Sequence, residues 1–119
     1  MTAPMAPSPT KALVLSLYKD GFAGDPRGLN RYFAPNFKDH SFFGDLKGLK
    51  VALQAFRTAY PNVQWRVEHL VAEGDKVAVH VTVIIRGHTG TTRTIGSTSI
   101  YRVVQGKIVE HWGHGEPLF

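Results

Sequence analysis

The chain contains no cysteine. That excludes disulfides, thiol nucleophiles and cysteine-ligated zinc, and it suits a reducing cytoplasm, where the protein is expected to reside. No apolar run approaches the roughly 20 residues of a membrane-spanning helix, so no membrane partner is expected. Nor is there a run of three basic residues. The 14 Lys and Arg against 9 Asp and Glu give a formal charge of +5, but they are scattered along the chain. Nucleic-acid binders cluster such charges on one face, so a nucleic-acid partner is not expected. The charge fits solubility or an anionic substrate equally well. HExxH and H-x-H pairings are absent too, and His111 and His114 fall on opposite faces of a strand. A metal site and a metal cofactor are therefore not expected. What is present is an ordinary globular composition, 43% apolar and 19% charged over 119 residues. That is enough for one domain with one core.

Residues 1–10 are rich in Pro and Ala but lack a basic start and a long apolar stretch. They read as a disordered lead-in, not a secretion signal, to a single domain over residues 11–119. A helix is expected from residue 11 to 18, with Leu13, Leu17, Val14, Tyr18 and Phe22 forming a broad apolar stripe. Gly21 and Gly24 end it. Asp25-Pro26 opens a second short helix, and Phe33-Ala34-Pro35 stops it. A short strand is expected over residues 37–43 and a third helix over 48–60. From Val63 the period changes to two: Val63, Trp65, Val67, His69 and Val71 share one face of a half-buried strand. Turn residues at Gly74-Asp75, at 87–91 and at Gln105-Gly106 separate three further strands, 76–86, 92–104 and 107–114. Gly96 reads as a bulge. Helices before a meandering antiparallel sheet make an α+β domain, because one sheet face has to be covered.

Three stretches carry a family resemblance: GDKVAVHVTV at residues 74–83, GHTG at 87–90 and IYRVVQGKIVEHWG at 100–113. Together with the aromatic-Ala-Pro stop and the Asp39-His40 strand, they resemble the SnoaL-like branch of the nuclear-transport-factor-two-like superfamily. The resemblance spans about residues 11–114. It implies a conical fold of three N-terminal helices on a strongly curved, mostly antiparallel sheet enclosing a pocket. It also implies a small apolar ring compound as ligand, no cofactor, and a homodimer through the outer sheet face. Relatives include aldol-type polyketide cyclases, cofactor-free hydroxylases, steroid isomerases, epoxide hydrolases and binders without a known reaction.

The resemblance also locates candidate residues. Polyketide cyclases carry their acid/base carboxylate directly after the Glu-His-aromatic motif, and here that position is Gly113. Their assisting polar positions fall at Ser97 and Ser99. Asp39 lies about where steroid isomerases place a carboxylate base, and desolvation at a cavity mouth is expected to raise its pKa. The isomerase tyrosine corresponds to Leu17, with Tyr18 rotated about 100° away on a helix, so that machinery is not expected intact. The Asp-Arg-Asp group of the epoxide hydrolases is not found. His111 shares strand parity with Gly113 and is expected to face the cavity, as an acid/base or a donor to a substrate carbonyl. His40 adjoins Asp39. His69 sits on the apolar phase of its strand, His80 on the opposite phase from the valines, His88 in a turn. Trp65, Phe56, Tyr101, Phe33, Phe43 and Trp112 are candidate pocket lining, with ordinary core packing the competing reading. Glu110 is expected on the other face, paired with a basic residue.

Two functions stay open. One is cofactor-independent cyclisation or isomerisation of a polyketide-like carbonyl compound, with Asp39 as base and His111 or His40 polarising the carbonyl. The other is a non-catalytic small-molecule-binding or accessory protein on the same fold, a reading strengthened by Gly113.

Overall fold

The computed structural model describes residues 8–87 and 89–115. The lead-in at 1–7 and His88 lie outside the described residues. Residues 8–10 do not belong to a disordered segment: Ser8 caps the first helix, α1 (Pro9–Ser16), its hydroxyl accepting from the Lys11 amide at 3.2 Å. A Ser followed by a Pro at the first helical position is a pre-organised helix start. The helix continues as a π turn, Leu17–Gly21, closed by the Phe22 amide donating to the Leu17 carbonyl at 2.8 Å. The second helix is the tighter 3-10 form, Pro26–Arg31, capped by Asp25. The third, α2 (Leu46–Ala59), begins two residues before the expected start because Asp45 accepts from the Gly48 amide at 2.8 Å.

Five strands follow the order β1-β5-β4-β3-β2 in one open sheet, with β1 parallel to β5 and every other pair antiparallel. The strands are β1 (Phe33–Asp39), β2 (Gln64–Glu73), β3 (Lys76–Arg86), β4 (Thr92–Val104) and β5 (Lys107–Gly115). Strand β1 runs 33–39, not 37–43, and so passes through Pro35. Proline is tolerated there because β1 is an edge strand and its pairing with β5 is irregular between Phe33 and Lys38. No helix among the described residues is long and apolar enough to cross a membrane.

Period-two alternation holds without a break on β3, whose Val77, Val79, Val81, Val83 and Ile85 all face the core. They meet Val14, Leu17, Leu29, Leu49 and Leu53 from the helical layer. On β2 the phase flips. The pairing with β3 slips between Val67 and His69, so one extra residue enters β2. Downstream of the slip Leu70 and Ala72 turn inward, while Val71 is left 64% exposed and His69 turns outward against His80. The expected placement of His69 and Val71 on the apolar face is thus corrected by a bulge. Gly96, in contrast, makes no bulge with β3: its register opposite Thr82 is regular.

The entry to α2 offers a test of this packing. A Cβ on Gly48 would lie 2.1 Å from the Phe43 carbonyl oxygen, whereas one on Gly28 meets nothing within 4 Å. Gly48→Ala is expected to destabilise the fold by roughly 2 kcal/mol, since backbone has to move. Gly28→Ala is expected to be neutral or to stabilise by about 0.5 kcal/mol. Urea unfolding midpoints for the two variants check both.

Candidate functional site

Strand alternation and the parallel β1–β5 pairing place Asp39 directly beside His111. Both are buried. His111 Nδ1 lies 3.1 Å from Asp39 Oδ1, and His111 Nε2 lies 2.9 Å from the Ser99 hydroxyl on neighbouring β4. An ionised carboxylate can only accept, so Nδ1 carries the proton and donates to Asp39. Nε2 then carries the ring's lone pair, which accepts from the Ser99 hydroxyl. Next to Ser99 sits a second polar pair, the phenols of Tyr18 and Tyr101, 2.6 Å apart. Burial pushes the Tyr18 phenol up to about 12, against the hydrogen bonds of Tyr101 and Ser99. Burial, together with the neighbouring Tyr18, also raises Tyr101 well above its ordinary value. Both phenols are neutral donors at any ordinary pH. Tyr18 therefore does reach the site: a 100° rotation from Leu17 still lies within the buried stripe that Val14, Tyr18 and Phe22 define.

The carboxylate departs from expectation in one respect. Burial pushes the Asp39 carboxyl up, but the His111 hydrogen bond and the backbone amides of Ser41 and Phe42 outweigh it, leaving the pKa below the usual aspartate value. Those amides reach Oδ1 at 2.9 and 3.4 Å. A carboxylate so stabilised is a weak base and a strong orienting partner for imidazole. Its other oxygen, Oδ2, is buried without a hydrogen-bond partner among the described residues.

The cavity beside this pair is lined by Asp39, His111 and Tyr101 together with Phe22, Phe33, Phe37, Phe43 and Leu49. Its volume is only about 10 Å³, roughly what one water needs. The expected ring-sized pocket is filled by phenylalanine side chains. Phe37, Phe22 and Leu49 were not singled out from sequence, although each lies on an apolar stripe. Trp65 and Phe56 do not line this cavity; they form an adjoining aromatic cluster with Phe22. Ser97 shares the inward face of β4, opposite Val81 and Gly115.

His40 and Trp112 are on the other side of the sheet. Each is one residue from an inward-facing neighbour, so alternation turns it out. There His40 stacks on Trp112 at 4.9 Å and bonds Glu110 at 2.7 Å. Glu110 also pairs with Arg102, as its parity implied. His40 is thus not brought to the site. No group of three or more His, Cys, Asp or Glu among the described residues could hold a metal ion.

Gly113 has a structural use. A Cβ there would meet the Phe42 ring and the His111 ring at 3.0 Å. Ser41 clasps the same residue, its hydroxyl accepting from the Gly113 amide and donating to the Gly113 carbonyl. The turn after β1 is seated on β5 where the cyclase carboxylate was sought.

Because the folded-state pKa of Asp39 is below its unfolded value of about 3.9, its stabilising contribution is complete above that value. It is lost as pH falls through the lower, folded value. Asp39→Asn is expected to cost about 1–3 kcal/mol at neutral pH and to flatten the acid side of the stability profile below about pH 4. Denaturant titrations across pH check this; an unchanged acid limb contradicts it.

Residues 17–111 match the SnoaL-like domain. Among solved structures, the candidate polyketide cyclase IdmH of Streptomyces antibioticus is similar at 22% identity and a TM-score of 0.83, covering 92% of this chain and 93% of that one. A candidate polyketide cyclase of Bacillus cereus is 26% identical with a TM-score of 0.82, over 93% of this chain and 76% of that. The candidate hydroxylase AclR of Streptomyces galilaeus is 25% identical with a TM-score of 0.79, over 90% and 74%. No curated protein matches.

Proposed function

The chain belongs to the SnoaL-like domain family, and from that premise we propose that it binds a small apolar carbonyl compound and moves a proton on it without a cofactor. The observation that carries this reading is the buried Asp39–His111 pair, with imidazole Nε2 left free of the carboxylate. The roles differ from a carboxylate-base scheme. His111 Nε2 takes the proton next to the carbonyl, and Asp39 holds the ring in the one tautomer that leaves Nε2 basic. Tyr101, whose side chain lines the cavity and whose phenol is neutral, donates to the developing enolate oxygen. Cyclisation or isomerisation would follow from where the resulting carbanion is placed. A reducing cytoplasm suits the cysteine-free chain.

Gly113 supports a second reading, a binding protein with no reaction, because the cyclase acid/base position holds no ionisable group. Deuterium exchange separates the two. With β-tetralone in D2O followed by NMR, the wild-type chain is expected to accelerate exchange at the carbon beside the carbonyl. His111→Ala is expected to lose roughly 100-fold or more of that rate. Tight binding with exchange no faster than in buffer would leave the binder.

A homodimer through the outer sheet face belongs to the same proposal. Val71, Ala78, Ile100 and Trp112 are register partners in one row across β2, β3, β4 and β5, and Val71 and Ile100 are exposed. Ile100→Lys is expected to convert a dimer to a monomer in sedimentation; a monomeric wild-type chain would rule the interface out.

A further inference from the structure

The buried hydrogen-bond chain does not stop at His111. It runs Asp39 Oδ1, His111 Nδ1, His111 Nε2, Ser99 Oγ, at 3.1 and 2.9 Å. A carboxylate, an imidazole and a serine hydroxyl joined in that order are the parts of an activated oxygen nucleophile, whatever fold carries them. We propose that Ser99 is such a nucleophile and that the site cleaves a small ester or thioester through an acyl-Ser99 intermediate.

Three further features fit. The residues sit on β1, β5 and β4, three adjacent strands held by regular pairing near the site, so their side chains are set by rigid elements and not by loops. Ser99 is the register partner of Gly113, and the rings of Phe42 and His111 lie over that glycine where a side chain would otherwise stand. The phenol of Tyr101 lines the same cavity as His111, hydrogen-bonded to that of Tyr18. It offers a neutral O–H donor for the oxyanion of a tetrahedral intermediate. Asp39 and its two backbone amide donors hold the imidazole in the tautomer this chemistry requires.

The steps balance without any other reagent. Ser99 Oγ bonds to the acyl carbon as its proton passes to His111 Nε2. The carbon–oxygen or carbon–sulfur bond of the substrate then breaks, and the leaving alcohol or thiol takes that proton from Nε2. Water repeats the sequence: its oxygen bonds to the acyl carbon, its proton goes to Nε2, and Ser99 departs and is reprotonated. The products are a carboxylic acid and the alcohol or thiol. Ser99 is buried and does not itself line the cavity beside His111, so a short acyl group would reach it by displacing the Phe42 ring, which lies over Gly113 and is 42% exposed.

The inference shares His111 with the proton-transfer reading but does not rest on it. The test treats the full chain with p-nitrophenyl acetate and reads p-nitrophenolate release together with peptide mass spectrometry. A burst, with acetyl on the peptide containing Ser99, is expected. Ser99→Ala and His111→Ala are expected to abolish that adduct, Ser99→Cys to retain it, and Asp39→Asn to slow it by roughly 1,000-fold or more. Acetyl found only on lysines or other histidines, or an adduct unchanged in Ser99→Ala, overturns the proposal. So does a burst of full amplitude and rate in Asp39→Asn. β-Tetralone exchange in the same wild-type preparation keeps the two readings apart. Exchange without acylation sinks the nucleophile alone, and acylation without exchange sinks the proton-transfer reading alone.

Discussion

The pairing of β1 against β5 is the constraint from which the site follows. It is the one parallel contact in the sheet, and it joins residues about 70 apart in sequence. Because Asp39 and His111 are register partners there, a buried charge acquires a hydrogen-bond donor at the moment the edge strand docks. A carboxylate buried without such a partner would cost several kcal/mol. Docking of β1 and formation of the Asp39–His111 bond are therefore one event, energetically. The turn that follows reinforces it: Asp39 accepts from the amides of Ser41 and Phe42, while Ser41 locks onto Gly113. The edge strand is held at its end by polar contacts more than by backbone ladder, which is irregular farther back.

This arrangement explains why glycine at 113 is compatible with a built site. A carboxylate at that position would face Phe42 and crowd the His111 ring, and it would set a second negative charge near Asp39. With glycine there, one carboxylate remains, and it sits on the far side of the imidazole from the Ser99 hydroxyl. The result is a directional chain: acceptor, imidazole, hydroxyl, and phenols beyond. Every link but Asp39 Oδ2 is satisfied by protein. Such a nearly complete network in low dielectric specifies one geometry strongly.

Much of the sheet was legible in sequence because its signal is local. Unbroken alternation on β3 gave the inward valines, the family resemblance pointed to Ser97 and Ser99, and parity on β5 put His111 inside and Glu110 outside. Failures occurred where the signal was not local. The slip between Val67 and His69 is decided by pairing with β3, so the outward turn of His69 could not be read from β2 alone. The helix does stop before Pro35, but the strand was expected only after it, although a missing amide matters only if a neighbour lies on that side; being on an edge strand is a property of the sheet. Tyr18 was set aside by counting helical degrees from Leu17, although its own spacing to Val14 and Phe22 already placed it on the buried stripe. His40 failed for a simple reason: it follows the last residue of β1, and there its ring turns to Glu110 and Trp112 on the opposite face from Asp39.

The interior poses a contest between core and cavity. A cone of this size has few apolar side chains with which to fill its centre, and here Phe22, Phe33, Phe37 and Phe43 do so almost completely. Each such ring buried contributes on the order of 2 kcal/mol or more, whereas an open cavity forfeits contacts in proportion to its volume. A ligand must therefore supply, by its own burial, what the displaced rings had supplied. On the proposed function, apolar, flat molecules and short acyl chains meet that condition better than strongly polar ones, because among the described residues that line the cavity only Asp39, His111 and Tyr101 carry polar side-chain groups. On the proposed reading, selectivity begins with replacing phenylalanine, and proton transfer begins only once the ligand lies against His111.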